Sequence, residues 1–144
     1  MKRYAAVIAL LLLCAACAHA EKVDRKHIAY EIAVPENWVT TKSGDTVEIV
    51  RHDGETALSA SLIDPQGASL YEIAYRLAKA HGAVLGRPES YDRTRDIWEY
   101  RAEIEGKSLY AQVFEAESGI AYVAIVGDAT DNETIDIFNS LEFK

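Results

Sequence analysis

The sequence predicts an α+β domain: one antiparallel β-sheet of about six to seven strands, one main helix and one short C-terminal helix. Three observations carry this. Ile28, Tyr30, Ile32 and Val34 alternate with Ala29, Glu31 and Ala33, and Trp98, Tyr100, Ala102 and Ile104 alternate with Glu99, Arg101 and Glu103. A period of two puts every second side chain on a buried face, which is the signature of a half-buried strand. Leu70, Ile73, Ala74, Leu77 and Ala78 recur at helical spacing and make one apolar stripe. Ile120 to Val126 is apolar on both faces, as a central strand covered on both sides must be.

The remaining elements follow in order. The first strand is expected to end at Pro35-Glu36-Asn37-Trp38, because proline cannot donate to a ladder. Thr46 to Arg51 reads as a second strand. Asp53-Gly54 signals a two-residue hairpin turn, and Leu58, Ala60 and Leu62 line one face of the returning strand. Asp64-Pro65-Gln66-Gly67 closes this half. Ser69-Leu70-Tyr71-Glu72 matches a capping box, so a helix is expected from Leu70 to His81, stopped by Gly82. Ala83 to Leu85 is expected as a short strand and Gly86 to Asp96, with Pro88 and several charges, as a loop. Leu109 to Glu115 returns from the turn at Glu105-Gly106-Lys107. Thr130-Asp131-Asn132-Glu133 reads as a second capping box, with Ile135, Phe138 and Leu141 on the short helix behind it. The expected core comprises Ile28, Tyr30, Ile32, Leu58, Leu62, Ile73, Leu77, Trp98, Tyr100, Tyr122, Ile125 and Phe138.

Residues 1–20 have the layout of a bacterial export signal. Met1-Lys2-Arg3 is basic, Tyr4 to Cys17 is apolar and uncharged, and Ala18-His19-Ala20 is a small-x-small cleavage site. The apolar run is shorter than the roughly 20 residues that a spanning helix needs. The expectation is therefore a periplasmic or secreted protein. Residues 21–27 form a charged lead-in, and residues 28–144 form a single domain. Two processing readings stay open. Cleavage after Ala20 leaves a soluble protein starting at Glu21, and this reading stands first. In the other, Leu13-Cys14-Ala15-Ala16-Cys17 resembles a bacterial lipobox, which implies a lipid on Cys17 and a membrane-anchored lipoprotein.

Charge and cysteine content narrow the chemistry. The net charge is −8, and Lys2 and Arg3 lie in the leader, so the exported part is more acidic still. That disfavours nucleic acid and anionic lipid headgroups as partners. Cys14 and Cys17, the two cysteines, both precede the domain, which leaves it no disulfide, thiol nucleophile or cysteine metal site.

The order of elements resembles a known family. Tyr30-Glu31-Ile32-Ala33-Val34 runs into Pro35-Glu36-Asn37-Trp38; a hairpin, a capped helix and an antiparallel meander follow, and a last helix leads into Ser140-Leu141-Glu142-Phe143. This is similar to the PsbP-like fold, shared by photosystem II extrinsic PsbP proteins, a Ran-binding nuclear-transport factor and DcrB-type bacterial envelope proteins. The resemblance implies a non-enzymatic domain that binds partners or supports assemblies, and it brings no catalytic residues. It also implies that Ser140 to Phe143 is a last short strand rather than helix.

Catalytic, cofactor and metal motifs are weak. His27, His52 and His81 lack the i, i+4 spacing of a helical zinc motif, and His81 suits a helix C-terminus by charge alone. Asp128, Asp131, Glu133 and Asp136 do not match a calcium loop and are expected to cap a helix. Asn132-Glu133-Thr134 matches a glycosylation sequon, incidental behind a bacterial leader. There is no Gly-x-Ser-x-Gly elbow and no phosphate-binding glycine loop, and Glu99 and Glu103 belong to an acidic surface. No catalytic residue, cofactor or metal is therefore expected. The aromatic residues are mostly core. The exceptions are Tyr71 and Tyr75, one turn apart and partly off the helix stripe, and Tyr91, set among Arg87, Arg93 and Arg95. Tyrosine and arginine are enriched at interface hot spots, so these six residues are the expected partner surface. The leading expectation is an exported, non-enzymatic domain that binds an envelope protein or acts as an assembly factor, with no membrane contact other than a lipid on Cys17. The alternative is a small-molecule or lipid carrier with a cavity between sheet and helix. A hydrolytic enzyme comes third.

Overall fold

A computed structural model describes residues 34–143 in full, together with the strand at Ile28–Tyr30. The leader, Cys17, His27 and the side chains of Ile28, Tyr30 and Ile32 lie outside the described residues. The strands are β1 (Ile28–Tyr30), β2 (Trp38–Ser43), β3 (Thr46–Arg51), β4 (Ala57–Ile63), β5 (Glu89–Asp92), β6 (Ile97–Ile104), β7 (Lys107–Ala116), β8 (Gly119–Val126) and β9 (Leu141–Phe143). Helix α1 spans Leu70–Ala80 and helix α2 Asn132–Ser140. Seven strands form one antiparallel sheet in the order β2-β3-β4-β8-β7-β6-β5, and β1 pairs with β9 in a separate ribbon. This is the expected α+β architecture.

The register explains why β8 is apolar throughout. It is the fourth of seven strands, and both of its faces are covered. Tyr122, Ala124 and Val126 point toward α1, together with Leu109, Ala111 and Val113 of β7 and Tyr100 and Ala102 of β6. Ala121, Val123 and Ile125 point to the other face, where they meet Leu58, Ala60 and Leu62 of β4, Val47 and Ile49 of β3, and Ile137 of α2. The expected core residues Leu58, Leu62, Ile73, Leu77, Tyr100, Tyr122 and Ile125 are buried, while Trp98 and Phe138 are half-buried at its edges.

Both helices are held by side-chain caps. Ser69 Oγ accepts from the Glu72 amide at 3.2 Å, and Glu72 Oε2 accepts from the Ser69 amide at 2.8 Å, completing the capping box. At the other end of α1, the Ala83 amide donates to the Ala78 carbonyl and the Gly82 amide to the Lys79 carbonyl, a Schellman arrangement.

Several local expectations are corrected. No strand is expected between Pro35 and Thr46, yet Asn37 leads into β2, whose Trp38 pairs with Arg51. The proline sits outside the ladder, where its missing donor costs nothing. Asp53-Gly54 lies within a five-residue connection, residues 52–56, because Asp53 Oδ1 accepts from the Glu55 amide at 2.8 Å and bends the chain itself. Ala83 to Leu85 is a turn after the Schellman cap. The expected loop at 86–96 contains β5, a short edge strand. The second helix is capped by Asp131, whose Oδ2 accepts from the Thr134 amide at 3.1 Å. Glu133 is thereby free to turn away from the helix start. Leu141, expected on this helix, belongs to β9, whereas Ser140 is still the last residue of α2.

Candidate functional site

The stripe of α1 that faces the sheet is Leu70, Ile73, Ala74, Leu77 and Ala78, all buried. A helix of 3.6 residues per turn turns Tyr71 and Tyr75 to one flank of that stripe. They remain 41% and 38% exposed, with ring centroids 6.2 Å apart. Tyr71 meets Trp98 of β6 edge to face at 4.8 Å, and Trp98 Nε1 donates to Asp96 Oδ1 at 3.0 Å. Tyr71 and Trp98 border an open groove of about 600 Å³ between the start of α1, the turn into β6 and the β7–β8 turn. Leu70, Trp98 and Ile120 form its apolar floor, and Asp96, Glu115 and Glu117 stand along it.

A second groove, of about 410 Å³, opens on the opposite face of the sheet between β5–β7 and the α2–β9 segment. Phe114, Phe138, Leu141 and Phe143 line it, with Phe114 and Phe143 in edge-to-face contact at 5.3 Å. Tyr91 reaches this face because β5 carries a bulge. Ser90 pairs with Trp98 and Asp92 with Ile97, so Tyr91 is the extra residue. Arg95 Nε meets Asp92 Oδ2 at 2.8 Å on the same rim. The Thr94 hydroxyl at 2.6 Å and then Arg95 hold the Asp92 carboxyl far below the ordinary range. Beside the groove, the Tyr110 hydroxyl donates to Glu99 at 2.7 Å and accepts from Gln112 Nε2 at 2.7 Å. Burial, and then the Glu99 carboxylate, push the Tyr110 phenol up. The Arg101 guanidinium lies 5.0 Å over the Tyr110 ring.

The six expected surface residues are thus distributed over both faces. Tyr71 lines the first groove, with Tyr75 next to it; Tyr91 and Arg95 line the second. Arg87 borders a smaller hollow of about 240 Å³ with the exposed Val84 and Leu85. Arg93 is exposed in the turn between β5 and β6 and lines neither groove. The network of Glu99, Tyr110 and Gln112 had no signal in the linear sequence, because it is made by the pairing of β6 with β7. The role of Trp98 as a groove wall was equally hidden behind its place in a core alternation.

His81, at the C-cap of α1, is 6% exposed. Its Nδ1 lies 2.6 Å from the Tyr100 hydroxyl, which donates to the Tyr122 hydroxyl at 3.3 Å. Burial lowers its pKa from 6.5 to about 4. The imidazole is therefore neutral at pH 7 and gains nothing from the helix dipole, contrary to the reading of His81 as a charged helix end. The acidic residues near α2 have separate tasks. Asp128 accepts from the Thr130 amide and hydroxyl, Asp131 caps the helix, and Glu133 Oε2 accepts from Trp38 Nε1 at 2.9 Å. Among the described residues no three His, Cys, Asp or Glu side chains converge as a metal site. No family model matches the chain, and no curated protein proves similar to it.

Proposed function

We propose that this chain is an exported, non-enzymatic domain that binds another protein of the bacterial envelope, and that it does so on the flank of α1 bearing Tyr71 and Tyr75. One observation carries the reading: two tyrosines and Trp98 form a continuous ring cluster at the mouth of an open groove, outside the stripe with which α1 packs on the sheet. Aromatic rings supply large contact area at low entropic cost, which is why they anchor interfaces. A carrier would instead need room between α1 and the sheet, as ligand cavities of roughly 300–1,000 Å³ require. The side chains there, from Ala74 to Ala111, Val113 and Tyr122, are almost fully buried against one another, which favours binding on the outside. Export rests on the leader at residues 1–20, and the PsbP-like resemblance, with its strand, Pro-x-x-Trp, hairpin, helix and meander order, supports a partner-binding role.

A photo-crosslinking side chain at position 75 tests the reading in intact envelopes. The expected result is one dominant crosslinked species that Tyr71→Ala diminishes. A crosslink pattern no different from that of a probe at exposed Arg93 would overturn it. Intact mass of the exported protein decides between a Glu21 start and a diacylglyceryl group on Cys17.

A further inference from the structure

Resting on that partner-binding reading, we infer that the groove beside Tyr71 receives an extended, basic segment of the partner, with lysine or arginine side chains laid across Trp98 and Tyr71. Apolar and polar surface share the groove about equally, so it suits a side chain that buries carbon and also carries a polar head. Its polar character is one-signed: Asp96, Glu115 and Glu117 are the charged residues among the twelve that line it, with no lysine, arginine or histidine. Glu115 and Glu117 are exposed, with their carboxylates open to an incoming side chain. A lysine or arginine side chain has the matching form, an aliphatic stem for the apolar floor and a cationic head for the carboxylates. The ring faces of Trp and Tyr attract the same cation through their quadrupoles.

One feature of the groove opposes a cation. It lies at the start of α1, where the helix dipole places about half a positive charge. Ser69 and Glu72 occupy free amides there through the capping box, and Glu72 adds a negative charge of its own. The carboxylates along the groove exceed what remains. A phospholipid headgroup is the poorer occupant, because its phosphate would stand against the same carboxylates. The lining of the second groove carries both signs, Arg95 and Glu115, so it does not select a cation as the first does.

The test uses the exported protein and three probes: a fluorescent peptide alternating lysine with leucine, the same peptide with glutamate for lysine, and phosphocholine vesicles. The lysine peptide is expected to bind saturably and to weaken as salt rises. The Glu115→Gln, Glu117→Gln double variant and Tyr71→Ala should each weaken it about tenfold while the melting temperature stays unchanged. Absence of lysine-peptide binding, equal binding of the glutamate peptide, preference for the vesicles, or indifference to all three substitutions would each overturn the inference. If the crosslink at position 75 persists while the lysine peptide fails, the basic segment is wrong and the partner surface stands. If both fail, the surface itself is wrong.

Discussion

His81 Nδ1 lies 2.6 Å from the Tyr100 hydroxyl, joining the C-terminal end of α1 to β6, the neighbour of the edge strand β5. The Tyr100 hydroxyl continues to Tyr122 on β8, and both tyrosine rings stack on the imidazole with centroids 5.8 and 6.2 Å away. Nδ1 and the Tyr100 hydroxyl share one hydrogen bond, and Nε2 is a buried atom with no hydrogen-bond partner. The groups facing the ring from β6 and β8 are thus two neutral phenols. Lys79, on its own helix, is exposed. Nothing in this arrangement stabilises an imidazolium.

The pair makes stability depend on pH in a defined window. The folded pKa is about 4 and the ordinary value 6.5, so between them the unfolded chain binds the extra proton. Stability is complete above pH 6.5 and is lost as pH falls toward 4, by up to about 3 kcal/mol. Asp53, Glu72, Asp92 and Asp128 are held low by their hydrogen bonds and lose their contributions at more acid pH. Glu48 acts in the opposite sense, because burial raises its pKa and favours the folded state as pH falls. Denaturant midpoints at pH 7 and pH 5 should differ more for the native chain than for His81→Phe. An imidazole titrating near 6.5 by NMR would refute the assignment.

Leu77 and Tyr75 separate the two sides of α1. Leu77 is buried in the cluster between helix and sheet, whereas Tyr75 stands on the flank. Leu77→Ala should destabilise the fold by about 2–5 kcal/mol, as cavity-forming substitutions do. Tyr75→Ala should stay within about 0.5 kcal/mol, the usual range for a surface change. Similar losses in urea denaturation would mean that Tyr75 is a packing residue and not available to a partner.

Glu133 links α2 to the edge of the sheet. Its carboxylate accepts the indole proton of the buried Trp38, and the Arg51 guanidinium lies 5.8 Å from the Trp38 ring. Glu133→Ala leaves the indole N–H without this acceptor and should cost about 1–3 kcal/mol. Glu133→Gln keeps an acceptor oxygen and should cost less. Trp38 fluorescence during denaturation reports both, and equal costs would show that charge, not acceptance, is what matters.

The elements that were legible in the sequence are those whose period is set by burial. The stripe from Leu70 to Ala78, the alternation from Trp98 to Ile104 and the apolar run from Ile120 to Val126 all reflect which face meets the core. Local hydrogen-bond competition was harder to read. Thr130 with Glu133 and Asp131 with Thr134 offer the same spacing for a cap, and the tertiary contact of Glu133 with Trp38 decides for Asp131. β2 was hidden because Pro35 reads as a stop, yet Trp38 is needed at a ladder position opposite Arg51. The candidate site was half visible. Tyr71 and Tyr75 stood out because they fall off the helix stripe, but their union with Trp98 depends on how α1 lies across β6, which no local pattern encodes.

Gly127 offers a separate test of how closely the sheet end is built. It follows β8 with φ of +108°, and its amide donates to the Ser108 carbonyl at 2.9 Å. A Cβ placed there would run into the Glu55 carbonyl and stand 2.9 Å from Thr56 Oγ1, in the connection between β3 and β4. Gly106, in the β6–β7 turn, also has positive φ, at +77°, but a Cβ there meets nothing within 4 Å. Alanine at position 106 therefore reports backbone strain alone, about 1 kcal/mol. Alanine at position 127 adds a clash with a backbone atom that cannot rotate away, beside the fully buried Thr56. Its cost should exceed that of Gly106→Ala by at least about 1 kcal/mol. Equal denaturation midpoints for the two variants would show that residues 52–56 yield freely, and that the end of β8 is not held against them.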